Sequence, residues 1–478
     1  MAQEGTSFEA GTAGTRAPEL LVALDPRPGA RRAQLEGRLR DAVRTGRLAA
    51  GTRVPSTRAL ARDLGVSRRL VVEAYEQLAA EAWLESRHGS GTVAAAQAAS
   101  AGLRARAERP RRAPAYDFFP GVPDLAGFPR AAWLRATREV LHAMPDHALA
   151  YPDPRGAPAL RAALAGHLRR TRGVVADPER VVVCAGTTQA LALLGRVLRA
   201  AGTAAIAVED PGLLPHREVL AATGLKVVPV RVDASGADVA AIAATGARAA
   251  VVTPAHQFPL GMALAPERRA ALVAWARAGG ALVIEDDYDA EFRFDRQPVG
   301  AVQALAPDEV AYVGSASKTL SPALRLGWLV LPAALAGAVA AAKALEDGGA
   351  PVLEQLVLAH LIETAAYDRH LRLARRRMAA RRAALVAALA EHLPGARVEG
   401  VAAGLHAVAR LPAPVDARVL RAAARARDVG AYPLAGGVGH RRTPAGPVDA
   451  VVLGYANLPE PAIAEGVRRL AAAVRESG

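Results

Sequence analysis

Lys318, within GSASKTLSPALRLGW (Gly314 to Trp328), is one of three lysines in a chain with 60 basic residues, the others being Lys226 and Lys343. Nearly every position that needs only positive charge has been given to arginine. Lysine differs in its chemistry: its amine can lose a proton and attack a carbonyl carbon, which a guanidinium does not do. Small residues precede it, and the run VAYVGSAS that leads into it reads as a strand. An amine held at a strand end among small side chains points to a covalent carbon–nitrogen bond with an aldehyde.

Groups suited to a phosphate lie nearby. Arg325 follows Lys318 by seven residues, past a proline turn, and can clamp a phosphate with two parallel N–H groups. Ser315 and Ser317 add hydroxyls beside it. In VVVCAGTTQALALLGRVL a strand ends at Gly186, and Thr187 or Thr188 caps the next helix, so backbone N–H groups face outward and can seat an anion. Gly-Thr-Thr by itself is no more than a helix cap. In ALVIEDDYDAEF an apolar strand ends in acids and a tyrosine. Asp286 is expected to pair with a pyridine nitrogen and keep the ring an electron sink, and Tyr288 to hydrogen-bond the ring hydroxyl. For Asp287 and Asp289 the plainer reading, a solvated acidic turn, stands. Amine, phosphate seat and ring acid together specify pyridoxal 5'-phosphate, with Lys318 as the residue forming the Schiff base.

From Tyr116 onward, RVVVCAG, TAAIAVED, LKVVPVRVD, ARAAVVTPA, GALVIEDDYD, VAYVGSAS and LRLGWLVLP alternate with Ala/Leu-rich helical stretches. Short apolar runs separated by helices imply a mainly parallel α/β sheet covered on both faces. A large domain over about 150–350 and a smaller α+β lobe over about 351–475 are expected, within a unit spanning 116–475. The arginine run in RLARRRMAARRAALVAAL reads as a solvated helix face.

The N-terminal part has another texture. Residues 1–28 are rich in Gly, Ala, Thr and Pro and are expected to be loose; 96–115 reads as a linker ending in prolines. Between them, over 29–95, three amphipathic helices and a Gly-turned hairpin make a small unit. Leu35, Leu39, Ala42 and Val43 face inward from the first helix, Leu60, Ala61 and Leu64 from the second, and Val71, Ala74, Tyr75 and Leu78 from the third. Residues 29–114 hold 17 arginines against 8 acids, part of a formal net charge of +14, which suits a polyanion. The third helix opens with Ser67, Arg68 and Arg69. Cations in a first turn oppose the helix dipole unless an external anion sits there, as when a recognition helix enters the major groove. Ser56, Thr57 and Arg58 suit phosphate contacts, and the hairpin tip adds Arg87, His88 and Gly89.

The single cysteine, Cys184, excludes an intramolecular disulfide and fits a reducing cytosol. No basic start followed by an apolar core opens the chain, and the apolar run from Leu329 falls short of the ~18 residues of a membrane span. A cytoplasmic location, at the nucleoid when DNA-bound, is expected, with no membrane role.

The stretch GRLAAGTRVPSTRALARDLGVSRRLVVEAYEQLAAEAWLESRHGSGTVA resembles the winged helix-turn-helix of the GntR superfamily of bacterial repressors. The later order of phosphate turn, Asp-x-Tyr and Ser-x-Ser-Lys with its arginine resembles fold-type I pyridoxal-phosphate enzymes, the aspartate aminotransferase superfamily. With FFPGVPDLAGFP, YPDPRGAPALRAAL and TPAHQFPLG in place, the whole chain resembles the MocR/GabR family of transcriptional regulators. The resemblance implies a double-stranded DNA operator and a homodimer in which Tyr151 reaches the cofactor phosphate of the partner subunit. It also implies a small-molecule effector, pyridoxal phosphate itself or an amine or amino acid that displaces Lys318.

Three positions depart from the aminotransferase pattern. The C-terminal strand VVLGYANL has Val451 or Val452 where those enzymes carry an arginine for the substrate carboxylate, although His440, Arg441 and Arg442 lie close in sequence. Leu213 replaces a ring-stacking tyrosine, and Phe258 stands where asparagine is frequent. These departures favour a sensor without physiological turnover over the alternative, a working aminotransferase with a DNA-binding appendage.

Overall fold

The computed structural model describes residues 31–87, 91–95, 113–294, 299–434 and 447–477. The N-terminus over 1–28, most of the expected linker, His88, Gly89, His440, Arg441 and Arg442 lie outside the described residues. The chain divides into two compact units, residues 1–111 and 112–478.

In the first unit, α1 (Arg31–Arg44), α2 (Thr57–Leu64) and α3 (Arg68–Ala80) are followed by β1 (Leu84–Arg87) and β2 (Gly91–Ala94). Leu35, Leu39 and Val43 of α1, Leu60 of α2, and Val71, Ala74 and Leu78 of α3 share one core, at the 3.6-residue spacing of their helices. Gly65, with φ of 62°, stops α2 by turning left-handed and donating its N–H to the last carbonyls of that helix. Tyr75 OH donates to Pro55 O at 2.9 Å, fixing α3 to the entry of α2. β1 and β2 form an antiparallel hairpin with Leu84 opposite Ala94.

The second unit opens with β3 (Tyr116–Asp117), α4 (Arg130–Ala143) and α5 (Pro158–Arg172). Next come β4 (Val181–Cys184), α6 (Thr187–Ala200), β5 (Ala205–Asp210), α7 (Leu214–Ala222), β6 (Lys226–Asp233), β7 (Gly236–Ala237) and α8 (Val239–Ala244). β8 (Ala249–Val252), α9 (Pro266–Gly279), β9 (Leu282–Asp286), β10 (Val310–Ser315), β11 (Gly327–Val330), α10 (Ala333–Asp347) and α11 (Val352–Glu363) complete the larger part. The rest is α12 (Ala366–His392), β12 (Arg397–Glu399), β13 (His406–Asp416), α13 (Ala417–Ala426), β14 (Val429–Gly430), β15 (Pro447–Gly454) and α14 (Glu460–Ser477).

The seven expected strands form one sheet, extended by the short β7, in the order β4-β11-β10-β9-β8-β5-β6-β7. The run from β10 to β6 is parallel, whereas β11 lies antiparallel to both its neighbours. Both faces are covered: Ile284 and Val313 pack on one side, Val283 and Tyr312 on the other. The smaller lobe stacks the antiparallel sheet β12-β13-β15 against α12, α13 and α14.

Two expectations need correction. α11, placed by sequence at the start of the small lobe, buries Val357, Leu358 and Leu361 in the same core as Leu160 and Leu164 of α5. The arginines of α12 are not all solvated. Arg377 Nε lies 2.9 Å from Asp124 Oδ2, and Arg381, largely buried, meets both Asp124 Oδ1 at 3.2 Å and the Ala456 carbonyl. Asp124 comes from the segment before α4, so these ion pairs fasten that segment to α12.

Candidate functional site

A parallel sheet leaves a crevice at the carboxyl ends of its strands, where loops to successive helices diverge. Here that crevice is a cavity of about 350 Å³ whose lining includes Gly121, Thr187, Thr188, Asp286, Tyr288 and Lys318. Ser315, Ser317 and Arg325 line the same cavity. The residues singled out in three separate stretches of sequence therefore meet in one place.

Lys318 follows β10, and its Nζ donates to the Gly121 carbonyl at 2.5 Å. Burial holds its amine below the ordinary lysine value, opposed by the charges of Asp289 and Asp286, so the neutral nucleophilic form is easier to reach than on a surface lysine. Gly121 has φ of 86°, and a Cβ there would lie 3.4 Å from Nζ, so glycine keeps space at the amine.

Gly186, with φ of 84°, caps α6; neither Thr187 nor Thr188 supplies a side-chain cap, which leaves N–H groups of the first turn without an internal acceptor. The expected threonine cap is thus replaced by glycine. A Cβ on Gly186 would come within 3.3 Å of the Arg325 guanidinium, which donates to the Ala185 carbonyl beside it. Ser315 Oγ accepts the Ser317 N–H at 2.9 Å, bringing both serines to the same rim. Helix N-terminus, guanidinium and hydroxyls make a seat for a phosphate dianion.

Asp286 ends β9, is buried, and its Oδ1 makes no hydrogen bond. Burial, with the charges of Asp287 and Asp289, pushes its carboxyl up to about 8. His216 Nδ1 lies 3.6 Å from Asp286 Oδ2, but burial and the charge of Lys318 push that imidazole down to about 4. Near neutrality neither partner is charged, so this contact is no ion pair. A buried carboxyl with an unmatched oxygen on the cavity wall fits a pyridinium N–H, which would satisfy the oxygen and restore its charge.

Asp287 and Asp289 are not a solvated turn. Asp287 takes both arms of buried Arg172, at 2.7 and 3.2 Å, and the Tyr312 hydroxyl at 2.6 Å. Asp289 Oδ2 lies 2.8 Å from His256 Nδ1, which is 3.2 Å from the Tyr288 hydroxyl. The His406 ring packs at a tilt against His256, its Nε2 3.0 Å from the Pro259 carbonyl; burial pushes it down to about 3, so it stays neutral. These buried groups brace Tyr288 from behind. His256 lay within the quoted TPAHQFPLG, but no periodicity or spacing marks His406 as its neighbour, or Glu209 and His216 as residues of the cavity lining.

Leu213 and Phe258 line the cavity, and Val452 lies behind them in one apolar cluster with Val408, Ala450 and Leu434. Val451 faces the opposite core, so Val452 is the residue on the cavity side. Tyr151 is fully exposed and is not among the residues lining its own chain's cavity.

In the first unit, Ser56 caps α2 by accepting the Ala59 N–H at 3.2 Å, and Ser67 caps α3 by accepting the Leu70 N–H at 3.3 Å. Each hydroxyl keeps its own hydrogen to donate outward. Thr57 opens α2, and Arg58, Arg68 and Arg69 are exposed. Arg69 is engaged, its Nε 2.8 Å from Glu73 Oε1. Arg87 ends β1 at the hairpin tip.

Fold and cavity define a regulator-type chain: a winged helix-turn-helix joined to an aminotransferase-like α/β unit. Residues 31–93 match the gntR family of bacterial regulatory proteins and residues 121–434 match aminotransferase class I and II. The chain is 34% identical over 462 residues, 92% of its length and 93% of the other's, to the probable rhizopine catabolism regulatory protein MocR of Rhizobium meliloti. It is 35% identical, over 86% of its length and 90% of the other's, to the HTH-type pyridoxine biosynthesis transcriptional regulator PdxR of Corynebacterium glutamicum. Among solved structures, Pyrococcus horikoshii kynurenine aminotransferase superposes with a TM-score of 0.67 at 25% identity, over 75% of this chain and 90% of that one. LysN, the α-aminoadipate aminotransferase of Thermus thermophilus, bound to N-(5'-phosphopyridoxyl)-L-leucine, gives 0.66 at 26% identity, over 75% and 92%. The chain belongs to the MocR/GabR family of transcriptional regulators.

Proposed function

We propose that this regulator binds pyridoxal 5'-phosphate in the cavity around Lys318 and reports the state of that site to its DNA-binding unit. The observation that carries the reading is the buried, unbonded Oδ1 of Asp286 in the same cavity as an amine and a phosphate seat. When bound, the cofactor supplies an aldehyde for Lys318 and an electron-withdrawing ring. Gly186, Thr187, Thr188, Ser315, Ser317 and Arg325 hold the phosphate, Asp286 holds the ring nitrogen protonated, and Tyr288 binds the ring hydroxyl. Ser56, Thr57, Arg58, Ser67, Arg68, Arg69 and the Arg87–Gly89 tip contact double-stranded DNA.

The effector is pyridoxal phosphate itself or an amine that displaces Lys318. Two features support this over steady turnover: Val452 stands in the strand position expected to grip a carboxylate, and two similar proteins are named as regulators of pyridoxine biosynthesis and rhizopine catabolism. Ligand exchange at the site biases the arrangement of a homodimer and so the spacing of its two DNA-binding units. Exposed Leu134, Leu141 and Leu149 offer apolar surface for the partner, and Leu149 is two residues from exposed Tyr151.

Borohydride reduction of protein incubated with pyridoxal phosphate, followed by peptide mass mapping, tests the assignment. Label is expected on Lys318, with none on that peptide in Lys318→Ala. The variant should bind promoter DNA but lose the response to added cofactor. An unlabelled Lys318 in folded protein would end the sensor reading.

A further inference from the structure

Leu213, Leu220, Val251 and Phe258 form an apolar wall of the cavity. Behind Leu213 and Phe258 lie Val408, Ala450 and Val452, all buried and apolar, with the His406 ring against Phe258. Among the described residues, the arginines on the lining are Arg325, at the phosphate seat, and Arg217. Arg217 Nη2 donates to the Glu209 carbonyl at 2.6 Å and to Asp210 Oδ1 at 2.8 Å, so Asp210 already matches its charge. Glu209 and Asp286, both on the lining, are held toward their neutral forms by burial. A further carboxylate entering beside these groups would lose its water, with no unmatched arginine among the described lining residues to offset the loss.

We infer that the ligand competing with Lys318 is a primary amine bearing an apolar, uncharged group, and that the cavity rejects its carboxylated counterpart. This rests on the cofactor reading above. Exchange moves the carbon–nitrogen double bond from Lys318 Nζ to the nitrogen of the incoming amine. The two protons of that amine end on Nζ, and neither water, oxidant nor reductant is consumed. Leu213 and Phe258 bury the apolar group, which no ion pair needs to anchor.

The experiment uses full-length protein loaded with pyridoxal phosphate, with Lys318 attachment first verified by borohydride trapping. Matched probes are then titrated: phenethylamine against phenylalanine, and butylamine against 4-aminobutyrate. The readouts are the fraction of Lys318 still trapped and the absorbance of the cofactor. Each probe is corrected by its reaction with free pyridoxal phosphate in the same buffer. Each plain amine should displace Lys318 at a concentration lower by about 30-fold or more than its carboxylated partner. Leu213→Arg, at a half-buried wall position, should narrow that ratio toward one by supplying a cation; Val452→Arg should do the same where it folds. Equal displacement by phenylalanine and phenethylamine in the natural protein would overturn the inference while leaving the cofactor reading intact. Failure to trap Lys318 before any amine is added would overturn both.

Discussion

Asp286 is where one side chain carries most of the chemistry. Burial and two neighbouring acids push its carboxyl up to about 8, against about 4 in an unfolded chain. Without cofactor, the native chain therefore keeps a proton there that the unfolded chain has lost. Stability falls as pH rises from about 4 to about 8 and levels off beyond. Asp286→Asn preserves volume and removes this titration. Calorimetry of cofactor-free protein should show a flatter pH profile for the variant and, at pH 8, greater stability than the natural chain by up to about 5 kcal/mol, the equivalent of about four pKa units. The same change removes the anion that a pyridinium N–H requires, so absorbance titration should give at least about tenfold weaker cofactor binding at pH 7. Superimposable stability profiles would mean that the folded chain carries Asp286 ionised. That Lys318 and Asp286 matter was legible in the sequence because each is chemically out of place, one of three lysines among many arginines and an acid closing an apolar strand, and both line the same cavity. Asp287, Asp289, His256 and His406 were not, because their partners lie many residues away and only packing brings them together.

At the level of elements, α3 is a cationic first turn on a rigid three-helix core. Its two arginines differ in what they must give up. Arg69 is paired with Glu73, and Glu73 also lies 3.5 Å from Arg32, so a contact from Arg69 to DNA first breaks an exposed ion pair. Arg68 has no such pair to give up among the described residues. With DNA fragments retained by the protein, anisotropy should show Arg68→Ala weakening binding by about 1–3 kcal/mol, as for a lost base-edge contact. Arg69→Ala should cost less than half as much and chiefly reduce the salt dependence. Equal losses would place both side chains on the same footing and refute the distinction. The elements themselves were mostly readable: all seven strands appear as apolar runs of four to eight residues, and the buried faces of α1 and α3 follow the helical period. What periodicity did not reveal was which core a helix joins. α11 reads as apolar nearly all round, and the arginines of α12 read as solvated until Asp124 arrives opposite them.

For the whole molecule the open position is Tyr151, fully exposed in its own chain yet expected at a phosphate. An aromatic hydroxyl on the surface next to exposed Leu149 makes sense if a second copy covers it, each chain lending Tyr151 to the cavity of the other. A Tyr151→Ala chain and a Lys318→Ala chain would then contain one complete site between them. Tyr151→Ala should retain cofactor about tenfold less well, through one lost hydrogen bond to a charged group, and Lys318→Ala should not be trapped at all. When the two are refolded together, a mixed dimer pairs the intact Lys318 of one chain with the intact Tyr151 of the other. Borohydride trapping at low cofactor concentration should then label more Lys318 than the Tyr151→Ala protein alone, by the share of mixed dimers formed. Sedimentation should report a dimer in every sample. If the mixture behaves as the sum of its parents, the cavity is completed within one chain, and coupling between cofactor state and the spacing of two DNA-binding units would need a route other than a shared site.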